Sequence, residues 1–226
     1  MPPMPLPDDA PFGLEPPRDC PRCPRLKAFR ETHRALEPTW HNAPVPSFLP
    51  VEGPGAARLM VVGLAPGLRG ANRTGRPFTG DFAGDLLYDT LIDFGFAAGT
   101  FRADPDDGLR LTDATITNAV RCVPPENKPV GAEIANCRPF FAATLAAGTG
   151  VRAIVALGRI AHDQVLRTLN RPAASAPFAH GAVHELDGRR ALYDSYHCSR
   201  YNTNTGRLTR AMFRAVFERV RADLEG

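Results

Sequence analysis

Residues 63–81, GLAPGLRGANRTGRPFTGD, place five glycines, three arginines and an aromatic before Thr-Gly-Asp in one loop, with no acid until its last position. Backbone bare of side chains can approach a phosphate or a flat ring closely. The loop lacks the Gly-Lys-Ser/Thr ending of a Walker A loop and contains no G-x-G-x-x-G, so triphosphate and dinucleotide binding fall away. A cationic, glycine-lined pocket remains, carrying Arg73 and Arg76, with Phe78 as a stacking platform and Asp81 as a carboxylate at its edge. The competing explanation is a structural Ω-loop. Two further side chains bear on the choice: Asn118 in TITNAVRCVPPENKP and His197 in YHCSRYNTNTGRLT. Either alone would more often be structural. Together, an aromatic, an amide that donates and accepts at once, and a histidine donor are the parts needed to hold a nucleobase outside its stack. Residues 199–209 add Arg200 and Arg207 among small polar residues ahead of a helix, which suits backbone phosphates.

The cysteines carry a second kind of chemistry. Cys20 and Cys23 form a C-x-x-C in a proline-flanked turn, Cys122 follows Asn118 closely, and Cys137 lies fifteen residues further on. Four thiolates from two regions can close around one metal centre. The unequal spacing does not match the paired C-x₂-C of zinc ribbons, so an iron–sulfur cluster and a Cys₄ zinc site both stand open, as does burial of Cys122 and Cys137 as small hydrophobes. A radical-SAM loop is excluded because C-x₃-C-x₂-C is absent. Cys198 sits between His197 and Ser199. Side chains of neighbouring residues usually diverge, so a spare thiol is favoured over a nucleophile.

Positioning these groups requires a scaffold with converging loops. Buried strands are expected at 58–64, 114–120 and 152–157, with a fourth strand at 191–196, from their continuous apolar or β-branched runs. Helix-period segments fall at 83–94, 131–147, 159–170 and 208–224, the last with Leu208, Met212, Phe213, Val216, Phe217, Val220 and Leu224 on one face. Strand–helix alternation predicts a three-layer α/β/α sandwich around a central four-stranded parallel sheet. Ligand sites in such folds lie outside the carboxyl ends of the strands. The loops after 62, around 120 and after 196 are the ones carrying unusual chemistry.

Composition agrees with this frame. A chain of 226 residues, 43% hydrophobic and 23% charged, is long enough for one substantial core, set here at residues 18–226. Residues 1–17 hold seven prolines and few large apolar side chains, so a flexible arm is expected there. No run approaches the ~18 apolar residues that span a bilayer, and no apolar signal segment opens the chain. Five cysteines, an odd number, suit a reducing compartment. A cytoplasmic protein with no membrane partner is the expectation. The net charge of +3 hides an asymmetry, because residues 151–226 carry 12 arginines against 7 acids. Arginine supplies 25 of the 27 basic residues; codon bias explains such a count, and its planar fork also suits phosphate.

With these residues in view, the sequence resembles the uracil-DNA glycosylase superfamily, and within it the type-5 branch. The matching elements are GLAPG with GANRTGRPFTGD, TNAVRC with PENKP, FAHGAVHEL at 178–186, and HCSRYNTNTGRLT. With the four cysteines they run from Cys20 to about Thr209. The resemblance implies a [4Fe–4S] cluster, mainly architectural, on Cys20, Cys23, Cys122 and Cys137. It implies that Phe78 stacks on the flipped base, with Gly63 and Ala65 of GLAPG beside it. It further implies that Asn118 reads the N3–H and O4 edge and that His197 donates to O2. DNA contacts are implied for Arg73, Arg76, Ser199, Arg200, Tyr201, Asn202 and Arg207. Tyr201 and Asn202 occupy the region that would wedge into the duplex. Branches with Asp, Glu or Asn soon after the first motif glycine use it to activate water; this chain has Leu64 there, a departure that type-5 enzymes share, and Asp81 becomes the candidate. Asp81 is equally placed to cap a helix at 83–94. Cys198 stands where members often carry proline.

The implied activity is excision of uracil, and of other deaminated bases such as hypoxanthine, from DNA. Only Lys27 and Lys128 are available as Schiff-base lysines and neither lies in a catalytic-looking loop, so a monofunctional enzyme acting as a monomer on the nucleoid is expected. Two other classes compete. A non-catalytic nucleic-acid-binding iron–sulfur module would grip a base without cutting, and a redox protein would leave Phe78, Asn118 and His197 unexplained.

Overall fold

The computed structural model describes residues 13–226. Chain order among them is α1 (Pro24–Leu36), β1 (Leu59–Gly63), α2 (Ala71–Thr74), α3 (Phe82–Asp93), β2 (Ala97–Ala98), β3 (Arg110–Leu111), β4 (Ala114–Asn118), α4 (Gly131–Ala147), β5 (Ala153–Leu157), α5 (Arg159–Thr168), β6 (Val183–Glu185), β7 (Ala191–Ser195), α6 (Arg200–Asn204) and α7 (Arg210–Glu225). The main sheet has the order β4-β1-β5-β7-β6. Its first four strands run parallel, as expected, but β6 pairs antiparallel with β7 and makes a fifth, edge strand. The expectation of four strands is corrected on that point. The Asp187-Gly188 turn closes this hairpin, with Gly188 at φ 72° and the Asp187 carboxylate accepting the Arg190 N–H at 2.9 Å.

Both faces of the sheet are covered, which is why the parallel strands read as continuous apolar runs. Leu59, Val61, Val155 and Leu157 face a layer that includes Leu87 and Leu91 of α3 and Phe213, Phe217 and Val220 of α7. Met60, Val62, Ile154 and Ala156 face the other way, toward Phe141 and Leu145 of α4 and Val165 and Leu166 of α5. Each fully buried side chain of this size contributes roughly 1.5–3 kcal/mol, so the alternation fixes register and layer order together. A third, smaller cluster joins Leu26 of α1 to Val120, Ile134 and Phe140, with the cysteines among them.

The N-terminal segment has two parts. Residues 1–12 of the expected arm lie outside the described residues. Leu14 and Glu15, also expected in the arm, are docked: the Leu14 carbonyl accepts the Thr144 hydroxyl at 3.2 Å, and Glu15 takes the Ser47 N–H at 2.8 Å and lies 3.2 Å from the Arg121 guanidinium. None of the described helices is long and apolar enough to cross a membrane.

Candidate active site

Register builds the site first. Gly63 ends β1 beside Asn118, which ends β4, and the two are parallel partners. A Cβ on Gly63 would collide with Asn118 Oδ1 and stand 2.7 Å from Phe78 Cζ, so the bare backbone is what lets amide and ring converge. Phe78 itself holds φ 52°, an uncommon value for a bulky residue and the sort of strain that surrounding structure must impose. The restraints are visible. The Pro77 carbonyl accepts the Tyr88 hydroxyl at 2.6 Å, and Gly84 allows α3 to close on the Phe78 carbonyl, where any Cβ would collide.

Phe78, Asp81, Asn118 and His197 line one cavity of about 550 Å³, together with Ala65, Ser199 and Arg200. The Phe78 and His197 rings lie 5.9 Å apart and nearly parallel, at 29°. Asn118 is buried, and its Oδ1 has no hydrogen-bond partner. A buried acceptor left open on a cavity wall is a place for a ligand donor. Burial pushes the His197 pKa down to about 4, so the imidazole is neutral at physiological pH and offers one N–H. Burial also raises Asp81, partly offset by the N–H groups of Ala83 and Gly84.

Asp81 is both the helix cap and a wall of the cavity. Its Oδ1 accepts the Ala83 N–H at 3.2 Å at the start of α3, while Oδ2 lies against Gly67 and Gly70, close enough that a Cβ on Gly67 would stand 2.9 Å away. Cys198 is fully buried and its thiol donates to the Ala83 carbonyl at 3.4 Å, tying the His197 loop to the same first turn. Burial pushes that thiol up, away from the thiolate.

The other residues singled out divide clearly. Arg76, expected at DNA phosphates, is buried: it makes paired bonds to Asp107 at 2.9 and 2.8 Å and lies 5.4 to 5.7 Å from the ring centroids of Phe48, Tyr88 and Phe101. Its Nε donates to Thr79, so it braces the Phe78 loop from behind and is corrected from a DNA contact to an internal strut. Although burial opposes ionisation of Asp107, the Arg76 guanidinium and two backbone N–H groups hold its pKa well below the usual carboxylate range. Asn202 donates to the His197 carbonyl at 2.8 Å. Tyr201 is 72% exposed beside the cavity, and Arg200 lies over the Phe82 ring. Arg207 stacks on Tyr196 at 4.5 Å, in a neighbouring cleft that also holds Arg159. Arg73 is exposed on the outer side of its loop.

Asn127 was not singled out, yet it lines the cavity, in left-handed backbone at φ 58° next to Glu126 at φ 54°. The signal was an Asn inside PENKP, a residue type tolerant of that conformation. Leu64, Pro66 and Phe82 are further apolar walls.

Behind this edge of the sheet the four cysteines line one small void with Leu26, Arg30 and Phe140. N–H groups face the sulfurs: the Arg30 guanidinium lies 3.4 Å from Cys122 Sγ, the Arg121 backbone N–H 3.3 Å from Cys137 Sγ, and the Asn136 amide 3.8 Å from Cys23 Sγ. Burial pushes the Cys122 thiol up to about 12 and Cys137 to about 11, so thiolates here require a bound cation. Among the described residues, no three of these sulfurs fall within 4.8 Å of one another; the group that does meet that spacing is His162, His184 and Asp194.

The sequence model of the Uracil DNA glycosylase superfamily matches residues 50–221. A type-5 uracil-DNA glycosylase of Thermus thermophilus is 46% identical over 203 residues, 87% of this chain and 90% of that one. A type-5 enzyme of Pyrobaculum aerophilum is 42% identical over 209 residues, 91% of this chain and 89% of its own. A type-4 uracil-DNA glycosylase from the same organism is 31% identical over 160 residues, 69% and 64% of the two chains. The chain therefore belongs to the uracil-DNA glycosylase superfamily, and its sequence stands with the type-5 members.

Proposed function

We infer that this protein is a uracil-DNA glycosylase that extrudes uracil, and other deaminated bases, from DNA and hydrolyses the N-glycosidic bond to leave an abasic site. The observation that carries this is the meeting of Phe78, Asn118, His197 and Asp81 around one cavity at the carboxyl ends of the parallel strands. In that cavity the Phe78 ring takes the face of the base, and the Asn118 amide takes its N3–H and O4 edge. Breaking the bond expels the base as an anion, and the neutral His197 N–H donates to the charge growing on O2. The sugar becomes oxocarbenium-like. Asp81 orients a water toward it, accepts the water's proton as the C–O bond forms, and stabilises the cation meanwhile. A volume of about 550 Å³ exceeds what a pyrimidine fills and supports entry of a deaminated purine such as hypoxanthine.

The cysteine donor set fits a [4Fe–4S] cluster. Four cysteines from two regions line one void with N–H groups directed at three of the sulfurs, the surroundings that a thiolate-held cluster takes. Cys20, Cys23, Cys122 and Cys137 would hold it, and its part is to join α1 to the sheet rather than to react. The proposal takes the protein to act as a monomer, on DNA in the cytoplasm.

The test is incubation with a uracil-containing duplex followed by alkali. Strand scission with the wild type, and at least ~100-fold slower single-turnover release by Asp81→Asn with DNA affinity retained, is expected. No abasic sites with uracil or hypoxanthine would leave a binding module in place of an enzyme.

A further inference from the structure

Next to the base pocket lies a second cavity, of about 560 Å³, to which nothing above assigns a role. Leu36, Trp40 and Leu68 give it an apolar lining, with Leu36 exposed, and Arg69 and Arg73 line it too. Gly80 lines both this cavity and the base pocket, so the loop that holds Phe78 and Asp81 borders the two. Trp40 is the single tryptophan of the chain, and it is half-buried rather than sunk in a core.

The tryptophan is held in fixed relation to the catalytic loop. The His41 N–H donates to the Arg73 carbonyl at 3.0 Å and the Asn42 N–H to the Asn72 carbonyl at 3.1 Å. Asn72 returns a side-chain bond to Asn42 at 2.9 Å. Gly75, at φ 79°, lets the loop close on the His41 ring, where a Cβ would stand 3.0 Å from Nδ1.

Charge says what the groove would take. Arg69 and Arg73 are exposed and neither has an ion-pair partner among the described residues; the Arg73 Nε bonds only to the Arg69 carbonyl. Glu37 is the one acid at the rim. An aromatic face with two uncommitted guanidinium groups is the combination that holds unpaired nucleotides, because every base offers a π-face and every linkage a phosphate.

We propose that this groove holds the DNA strand beside the extruded base, with the base of a flanking nucleotide stacked on Trp40 and its phosphates on Arg69 and Arg73. The proposal rests on the glycosylase reading for its DNA and deepens it by giving the enzyme a grip on unpaired flanking nucleotides.

Because Trp40 is the only indole, its emission reports the contact directly. The experiment titrates holoprotein with a uracil-containing single strand, following occupancy by anisotropy of a labelled oligonucleotide and Trp40 emission in parallel. Emission is expected to change in step with occupancy. Trp40→Ala is expected to weaken binding roughly tenfold, the effect of losing one stacked base, with Trp40→Phe retaining most affinity. Arg69→Ala should lower the salt slope of binding by roughly one phosphate's worth. Unchanged emission at full occupancy, or wild-type affinity in Trp40→Ala with its iron content intact, overturns the groove. Changed emission without any base release overturns the glycosylase reading and leaves the groove standing.

Discussion

One carboxylate at Asp81 serves two neighbours at once. Oδ1 caps α3 and Oδ2 rests in the space left by Gly67 and Gly70. From sequence, cap and catalyst were alternatives; in the structure Asp81 caps α3 and lines the cavity at once, so on the proposed mechanism the cap aims the carboxylate. Gly70→Ala, whose Cβ would collide with Oδ2, should therefore slow single-turnover base release at least ~10-fold while leaving DNA affinity near wild type. A normal rate would separate Asp81 from the chemistry. The pH profile tests the pair of titrating groups. In the proposed mechanism Asp81 works ionised and His197 works neutral, so both lose their working form on the acid side. With His197 near 4 and Asp81 raised by burial, base release should hold level at neutral pH and be lost on the acid side by about pH 4. A full rate persisting well below pH 4 would separate both groups from the chemistry. Phe78, Asn118 and His197 were legible because their residue types fit one chemistry; Arg76 misled because a guanidinium in a cationic loop gives no sign, in sequence, of the Asp107 it pairs with 31 positions away.

At the scale of elements, the four parallel strands were legible because both their faces are buried. The edge strand β6 was not, since Val183 and Glu185 are exposed and only the Asp187-Gly188 turn marks the hairpin. Helix α1 escaped for the same reason: only Leu26 and Arg30 of its thirteen residues are buried, too few to write a period. What fastens the β6 hairpin and the segment before it is a buried network. His162 on α5 reaches Asp194 Oδ1 at 2.6 Å with one ring nitrogen and the Ala176 carbonyl at 2.9 Å with the other, and His184 on β6 reaches Asp194 Oδ2 at 3.2 Å. Burial opposes charge on His162, but the Asp194 carboxylate more than offsets it and holds the pKa above its ordinary 6.5. A raised histidine pKa contributes stability that is complete below 6.5 and is lost as pH rises through the raised value. Asp194→Asn should cost roughly 3 kcal/mol at pH 6, read from urea midpoints, and distinctly less at pH 9. A gap that does not narrow would show that His162 is neutral in the folded protein.

At the scale of the whole molecule, the four cysteines close the chain on itself, Cys20 and Cys23 meeting Cys122 and Cys137 about 100 residues downstream. The Arg25–Glu133 pair, with bonds of 2.8 and 2.8 Å, makes the same connection through side chains exposed at one end. A partly exposed pair of that kind is worth about 1 kcal/mol or less, which leaves the join to the packing of Leu26 on Val120, Ile134 and Phe140 and to the proposed cluster. Removing iron by chelation under reducing conditions should leave the sheet's circular dichroism largely intact while opening the region from residue 13 to 42 to limited proteolysis. Equal protection in both forms would make the cluster dispensable for holding α1. The composition forecast one intracellular core with cysteines belonging together, and convergence of the thiols around one void matches the second half of that forecast. The closure also has a physiological side. Trp40 and its groove hang from the same segment as Cys20 and Cys23, so on the proposed reading the hold on damaged DNA would depend on a nutrient. In a cell short of iron, an enzyme built this way would lose the attachment of its N-terminal segment while its sheet still stood, and repair would fail ahead of the fold.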